Sequence, residues 1–273
     1  MTDIATWTPS ATYTDISYAT TDEGRIALIT IERPERRNAF RPLTSAELAH
    51  AISRARHDRT VRVVLLRGAG DQAFCAGADL SERTDGPSDA ASEVTPASVL
   101  DVQLAIRRIE KPVIALVAGY AIGGGQVLHQ VCDLSIAADN ARFGQVGPRV
   151  GSFDGGYGIN LLAKQVGHKR AKELWFLCRQ IDAQRALTWG LVNDVVPVAD
   201  LLEEGVRWAR DLVSLSPAAL RMLKSSVNAD EEGLTGIAQL ANDACQLYYG
   251  TDEAAEGAAA FMEKRPADFS TFA

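Results

Sequence analysis

Residues 111–125 read KPVIALVAGYAIGGG: a β-branched run, a small-residue turn, then three consecutive glycines ahead of the apolar stretch 127–131. Five apolar residues between breakers predict a buried strand at 113–117, and the glycines predict a tight turn into a buried helix. Working outward, RVVLLR at 62–67, LSIAA at 134–138 and RIALITI at 25–31, the last after the turn-like Asp22-Glu23-Gly24, repeat the strand pattern. Residues 43–55 carry apolar positions at helical spacing, with Thr44 as the expected cap and Glu47 as its capping-box partner. Strands alternating with helices imply an α/β fold around a largely buried sheet.

Beyond Pro197 the pattern turns helical, over 201–215, 217–227, 234–249 and 253–264. This divides the chain into a core at 1–197, with residues 1–12 expected to be flexible, and a helical region at 198–273 suited to assembly. Residues 81–95, SERTDGPSDAASEVT, are polar and breaker-rich and read as a mobile surface loop.

Composition excludes several function classes. With 47% hydrophobic residues in 273, the chain can bury a substantial core. A net charge of −7, from 28 basic and 35 acidic side chains, argues against nucleic acid as a partner, because phosphate neutralisation needs a basic surface. The four cysteines, Cys75, Cys132, Cys178 and Cys245, form neither CxxC pairs nor zinc-ligand spacings, so no disulfide framework or metal site is expected, and a reducing cytoplasm fits best. No stretch approaches the roughly 20 apolar residues of a membrane span, and the polar N-terminus lacks a signal-peptide core. Of the histidines, His129 falls within the apolar run and is expected to be packed, whereas His50, His57 and His168 lie among surface-like charges.

Two segments can carry chemistry. Residues 68–73, GAGDQA, formally match a dinucleotide fingerprint, but they continue into the small-residue turn FCAGAD and not into the helix that should hold a pyrophosphate. Small side chains at Ala76, Gly77 and Ala78 instead let a ligand approach the main chain, exposing N–H groups. The glycines 123–125 offer a second set. Two such donors aimed at one point make an oxyanion hole, each worth about 3–4 kcal/mol in the transition state.

Together and in this order the segments resemble the crotonase (enoyl-CoA hydratase/isomerase) superfamily, through ERPERRNAF at 32–40, AFCAGADL at 73–80, the opening words at 111–125, CDLSIAADNARFGQ at 132–145 and ALTWGLVNDVVP at 186–197. The resemblance runs from about Tyr13 onward. It implies a ββα spiral with a C-terminal helical region forming trimers or pairs of trimers, and an acyl-coenzyme A substrate. It also implies Ala78 and Gly124 as oxyanion-hole donors, and a coenzyme A site lined by Arg36, Arg37, Ala39, Cys75 and Ala76. The family's hydratases carry two glutamates at positions occupied here by Val127 and Gly147. Neither can move a proton, so simple hydration is not expected.

Residues 144–158, GQVGPRVGSFDGGYG, with NAFRPLT, ELWFLCRQIDAQ, YYGTDEAAEG and EKRPADFS elsewhere, are similar to the 1,4-dihydroxy-2-naphthoyl-CoA synthases of menaquinone biosynthesis. That resemblance implies an intramolecular Claisen (Dieckmann-type) condensation of o-succinylbenzoyl-CoA. Asp154 would be the general acid, Ser152 its orienting partner or the holder of the substrate carboxyl, and Tyr249 a C-terminal tyrosine reaching the site. Lys264 would meet the coenzyme A phosphate of a neighbouring subunit. Glycine at 147, with Gln145 and Trp175, matches the group of these synthases in which bound bicarbonate serves as the base. No metal or redox nucleotide is implied. Two departures stand out: residues 81–95 lack the usual tyrosine, and the GGD-Q and GGGH words appear as Gly77-Ala78-Asp79-Leu80 and Gly123-Gly124-Gly125-Gln126. They leave open a ring-opening hydrolase similar to the 2-ketocyclohexanecarboxyl-CoA hydrolases. A non-enzymatic RNA-binding relative would not need Ser152, Asp154 and Gly124, and the acidic balance opposes it.

Overall fold

A computed structural model describes residues 5–79, 97–151 and 156–272. The chain forms two compact units, Met1–Leu215 and Ser216–Ala273.

In the first unit an antiparallel entry, β1 (Thr8–Ala11), β2 (Ile16–Thr21) and β3 (Ile26–Ile31), is followed by α1 (Pro42–His57). Three turns of one repeat come next: β4 (Val63–Gly68), β5 (Ala73–Cys75) and α2 (Val99–Arg108); β6 (Val113–Val117), β7 (Tyr120–Ile122) and α3 (Gly124–Gln130); β8 (Leu134–Ala138), β9 (Arg142–Gly144) and α4 (Ile159–Val166). In each turn the first strand joins a large sheet ordered β1-β2-β3-β4-β6-β8 and the second a small sheet in which β5, β7 and β9 are neighbours. The chain therefore advances by one parallel strand in both sheets per turn, which is the ββα spiral expected. Helix α5 (His168–Leu177), strand β10 (Gln180–Asp182), helix α6 (Ala183–Trp189) and strand β11 (Asp194–Val196) complete the two sheets, and α7 (Leu201–Val213) follows.

The central strands of the large sheet, β3, β4, β6 and β8, are buried on both faces, which is why they read as continuous apolar runs. Alternation sends Ala27, Ile29, Ile31, Val64 and Leu66 into one core cluster and Ile26, Leu28, Val63 and Leu65 into the other. Helix α7 covers the second face with Leu201, Val206 and Ala209. A Cβ on Gly205 would lie 2.6 Å from Leu116 Cδ2, so α7 approaches the sheet as closely as a glycine allows. The amphipathic stripe of α7 thus packs with the first unit, although it follows Pro197. Residues 8–11, inside the stretch expected to be flexible, form β1 on the edge of the large sheet.

The cap expected at Thr44 is corrected. Helix α1 begins at Pro42 with Arg41 as its N-cap, and Thr44, one turn inside, accepts from the Arg41 amide and donates to Asp15 Oδ2 at 2.6 Å. Glu47 makes no capping box; its carboxylate accepts the backbone amides of Thr14 and Asp15, both at 2.8 Å. A buried carboxylate serving the incoming strand has outcompeted the local pairing.

The second unit contains α8 (Pro217–Glu232), α9 (Leu234–Tyr248) and α10 (Asp252–Glu263). Between α8 and α9, Asp243 is buried and accepts from Arg221, Ser225 and Gln239. Among the described residues no helix is long and apolar enough to cross a membrane.

Candidate active site

The segment 33–40 is shaped by two successive left-handed residues, Arg37 (φ 51°) and Asn38 (φ 54°). Asparagine tolerates that conformation better than most residues, and here its buried side chain fixes the loop. Asn38 Nδ2 donates to the carbonyls of Ala69 (3.0 Å) and Ala73 (2.7 Å), and Oδ1 accepts from the Arg33 amide. The buried Arg33 guanidinium donates to Ala39 O at 2.5 Å and to Asp79 Oδ2 at 3.1 Å, tying this loop to the turn after β5. Asp15 lies 3.8 Å from Arg33 and is bonded to Arg41. Burial alone would raise the Asp15 pKa, but hydrogen bonds from Arg41 and Thr44 and the nearby guanidinium charges outweigh it and hold the carboxyl below its ordinary value.

The two segments then pair. The Ala76 amide donates to Arg37 O, the Phe40 amide to Gly77 O, and the Asp79 amide to Phe40 O, forming a parallel bridge between Phe40 and Ala78. In such a bridge the residues flanking Ala78 make the bonds, so its own N–H and C=O turn away from Phe40. Among the described residues, the Ala78 amide has no hydrogen-bond acceptor.

The second turn is built on the same floor. Strand β7 enters α3 through Gly123, whose amide donates to Gly144 O at 3.0 Å and whose carbonyl accepts from Gln145 Nε2 at 3.3 Å. A Cβ on Gly125 would sit 1.9 Å from Cys75 O, so only glycine lets α3 rest on the β5 backbone. A Cβ on Gly77, itself at φ 91°, would sit 2.9 Å from Ile122 O and 3.1 Å from the Gly124 nitrogen. The two turns are therefore in contact. The Gly124 amide, in the first turn of α3, is uncommitted like that of Ala78. Ala78 is exposed and Gly124 half-buried, so a ligand can reach both. Two uncommitted amides on touching turns, if they point at one place, can stabilise an oxygen that acquires negative charge.

Neither Cys75 nor His129 supplies proton chemistry at neutral pH. Burial pushes the Cys75 thiol up to about 12, and it accepts from the Gly77 amide. Burial lowers the His129 pKa to about 3; the ring is packed against Phe143 with Nδ1 3.1 Å from Ser135 Oγ, in the core as expected. Val127 and Gly147, at the two glutamate positions, are both buried. Gln145 is buried too, and Trp175 is 7% exposed with an indole Nε1 that has no hydrogen-bond partner among the described residues. Helix α5, which carries Trp175, packs against the 3-10 turn Gly147–Arg149. A buried orphan donor on the helix that packs against that turn suits a small anion such as bicarbonate.

Ser152 and Asp154 lie outside the described residues. The segment that follows them is anchored: the Tyr157 amide donates to Gln103 Oε1 at 3.1 Å, and Gln130 Nε2 donates to the carbonyls of Tyr157 and Gly158, both at 2.8 Å. Of the expected coenzyme A residues, Arg36 and Arg37 are exposed, with the Arg37 guanidinium 5.7 Å above the Tyr120 ring, while Ala39 and Cys75 are buried and Ala76 is half-buried. Tyr249, 70% exposed at the end of α9, and Lys264, the left-handed cap of α10, belong to the second unit. Sequence reasoning missed Arg33, Asn38, Gln103 and Gln130, whose roles are hydrogen bonds between distant segments. Only the Arg-Asn pair at 37–38, a left-handed turn in prospect, hinted at any of them.

A family model described as enoyl-CoA hydratase/isomerase matches residues 21–271. Among solved structures, the chain is similar to an enoyl-CoA hydratase from Bacillus anthracis, at 32% identity and TM-score 0.75 over 94% of this chain and 99% of that one. It is also similar to an enoyl-CoA hydratase/carnithine racemase from Magnetospirillum magneticum, at 29% identity and TM-score 0.72 over 94% and 96%. DspI of Pseudomonas aeruginosa matches at 27% identity and TM-score 0.75 over 95% and 98%.

Proposed function

We propose that this chain, which belongs to the enoyl-CoA hydratase/isomerase (crotonase) family, holds the enolate of an acyl-CoA thioester and closes a ring with it, converting o-succinylbenzoyl-CoA to 1,4-dihydroxy-2-naphthoyl-CoA. One observation carries the enolate reading: the uncommitted amides of Ala78 and Gly124 lie on touching turns, while the positions of the hydratase glutamates hold Val127 and Gly147. A site with oxyanion donors and no acid–base pair for water is suited to carbanion chemistry.

In this reading the thioester oxygen accepts from Ala78 and Gly124 as the α-proton leaves. The α-carbon attacks the aromatic carboxyl carbon, and the carboxyl oxygen departs as water after protonation by Asp154, which Ser152 orients. Gln145, Trp175 and the space left at Gly147 would hold bicarbonate, which supplies a base when bound. Arg36 and Arg37 would meet the phosphates of coenzyme A, with Ala39, Cys75 and Ala76 lining its path. Tyr249 and Lys264 would complete the site in a homo-oligomer, a trimer or a pair of trimers. Support for assembly comes from Leu223, Leu234 and Phe261, which the second unit leaves exposed at 64%, 85% and 83%. The second reading, ring-opening hydrolysis of a cyclic 2-ketoacyl-CoA, is favoured by the absence of tyrosine from residues 81–95.

One assay separates the readings. Purified protein is given o-succinylbenzoyl-CoA in degassed buffer, with and without bicarbonate, and followed for the naphthoyl chromophore, beside 2-ketocyclohexanecarboxyl-CoA and crotonyl-CoA. Bicarbonate-stimulated ring closure is expected, and Asp154→Asn should abolish it with coenzyme A binding retained. Turnover of the cyclic ketone alone assigns the hydrolase, and rapid hydration of crotonyl-CoA overturns both.

A further inference from the structure

One face of α3 carries more polarity than its surroundings use. Gln126, His129 and Gln130, at helical spacing i, i+3 and i+4, are all buried, and four of their polar atoms have no hydrogen-bond partner among the described residues: both amide atoms of Gln126, Nε2 of His129 and Oε1 of Gln130. His129 and Gln130 are each held by another bond, to Ser135 and to the Tyr157 and Gly158 carbonyls respectively. Gln126 has none. It is 0% exposed and lies in the first turn of α3, the helix that Gly124 opens.

Native proteins rarely leave a buried carboxamide with both ends unpaired, and an apolar side chain of similar size would be more stable there. Its place explains the exception. On this face Gln130, one turn after Gln126, grips residues 157–158; α2 packs alongside α3 and holds the same segment through Gln103. Gln126 thus shares a helix with the Gly124 amide and a helix face with the residue that anchors segment 157–158.

We propose that Gln126 is a binding residue for the acyl group, and that its ligand is a carboxyl in the neutral form. This rests on the enolate reading. A carboxamide presents one N–H donor and one C=O acceptor side by side, which match the C=O and O–H of a carboxylic acid. A carboxylate offers acceptors alone and would face the Gln126 carbonyl with negative charge. Ring closure onto a carboxyl group needs its oxygen protonated before it leaves as water, so a residue that selects the neutral form positions the electrophile and readies it together.

The test uses the full chain and two non-reacting thioether analogues, one of o-succinylbenzoyl-CoA and one lacking the ring carboxyl. Calorimetry on wild type should show the carboxyl-bearing analogue bound at least about tenfold tighter, an advantage that weakens as pH rises and the carboxyl ionises. Gln126→Leu should lose that advantage, bind the carboxyl-free analogue as wild type does, and unfold at an equal or higher temperature; Gln126→Met serves if the leucine variant does not fold. A variant that keeps the preference, or a wild type that shows none, overturns the proposal and assigns Gln126 to core packing or an internal water. A wild type that prefers the carboxyl analogue through Gln126 yet forms no naphthoyl product leaves this binding role standing and removes the condensation. Turnover with an unchanged preference in the variant does the reverse.

Discussion

Replacing Gly125 with alanine tests how the two turns are held together. The added methyl would lie 1.9 Å from Cys75 O, 2.6 Å from Cys75 C and 2.9 Å from Cys75 Cβ. Comfortable carbon contacts begin at about 3.5 Å, so α3 and the β5 backbone must part by more than about 1 Å. The obstacle is main chain, and no side-chain rotation relieves it. Overpacking of this kind costs roughly 1–3 kcal/mol of stability. The same displacement moves the Gly124 amide away from that of Ala78. Misplacing a catalytic group by about 1 Å can cost 10²-fold, and losing one oxyanion donor costs about 10²–10³ in kcat. Gly125→Ala should therefore fold, melt earlier, and lose roughly two to three orders of magnitude in kcat with a much smaller change in KM. Gly70→Ala is the control: nothing lies within 4 Å of its Cβ, but its φ of 73° makes alanine strained by about 1–2 kcal/mol. It should lower stability similarly and leave kcat alone. Thermal melts and steady-state kinetics on both variants decide the matter. A folded Gly125→Ala enzyme with kcat within about threefold of wild type would refute the reasoning.

Three further outcomes are expected. Asn38→Ala removes three hydrogen bonds, two of them buried, from a left-handed position and should destabilise by roughly 2–3 kcal/mol in urea unfolding; a cost under about 0.5 kcal/mol contradicts its role in fixing the loop. The His129 pKa, lowered to about 3 by burial from an ordinary 6.5, means that between those values the unfolded chain binds a proton that the folded chain does not. Stability from this group is therefore full above about pH 6.5 and falls as pH drops towards 3, by about 1.4 kcal/mol per unit. His129→Phe should remove that slope, narrowing its stability deficit relative to wild type by about 2 kcal/mol between pH 7 and pH 5; a constant deficit contradicts the assignment. Trp175→Phe deletes an unpartnered buried donor, so it should keep the melting profile while losing the response to bicarbonate, and an intact response removes Trp175 from the anion site.

What was legible in the sequence followed burial. The strands β3, β4, β6 and β8 are covered on both faces, and their apolar runs stand out from flanking charge and glycine. The strands β5, β7, β9 and β10 have three residues each, too few to show a period; successive turns of the spiral stack the first three in parallel, and β10 adds to β9 antiparallel. The misplaced cap at Thr44 has a similar origin: the helix starts two residues earlier, at Pro42, and the Thr44 hydroxyl accepts the Arg41 amide from one turn inside while donating to Asp15, 29 residues earlier. At the site, the small residues of both turns were visible because close backbone approach restricts residue type. Gln126, Gln103 and Gln130 were not, because an amide reads alike whether it is solvated, bonded across the fold or left waiting for a ligand.

In the proposed site Ala78 and Gly124 donate together to one thioester oxygen. Difference infrared spectroscopy of a bound acyl-CoA, with the thioester carbonyl labelled with ¹³C, measures that directly. Two donors should move the carbonyl stretch to lower frequency on binding to wild type, and much of that shift should vanish in Gly125→Ala. A carbonyl band that binds to wild type at its solution frequency would contradict the account.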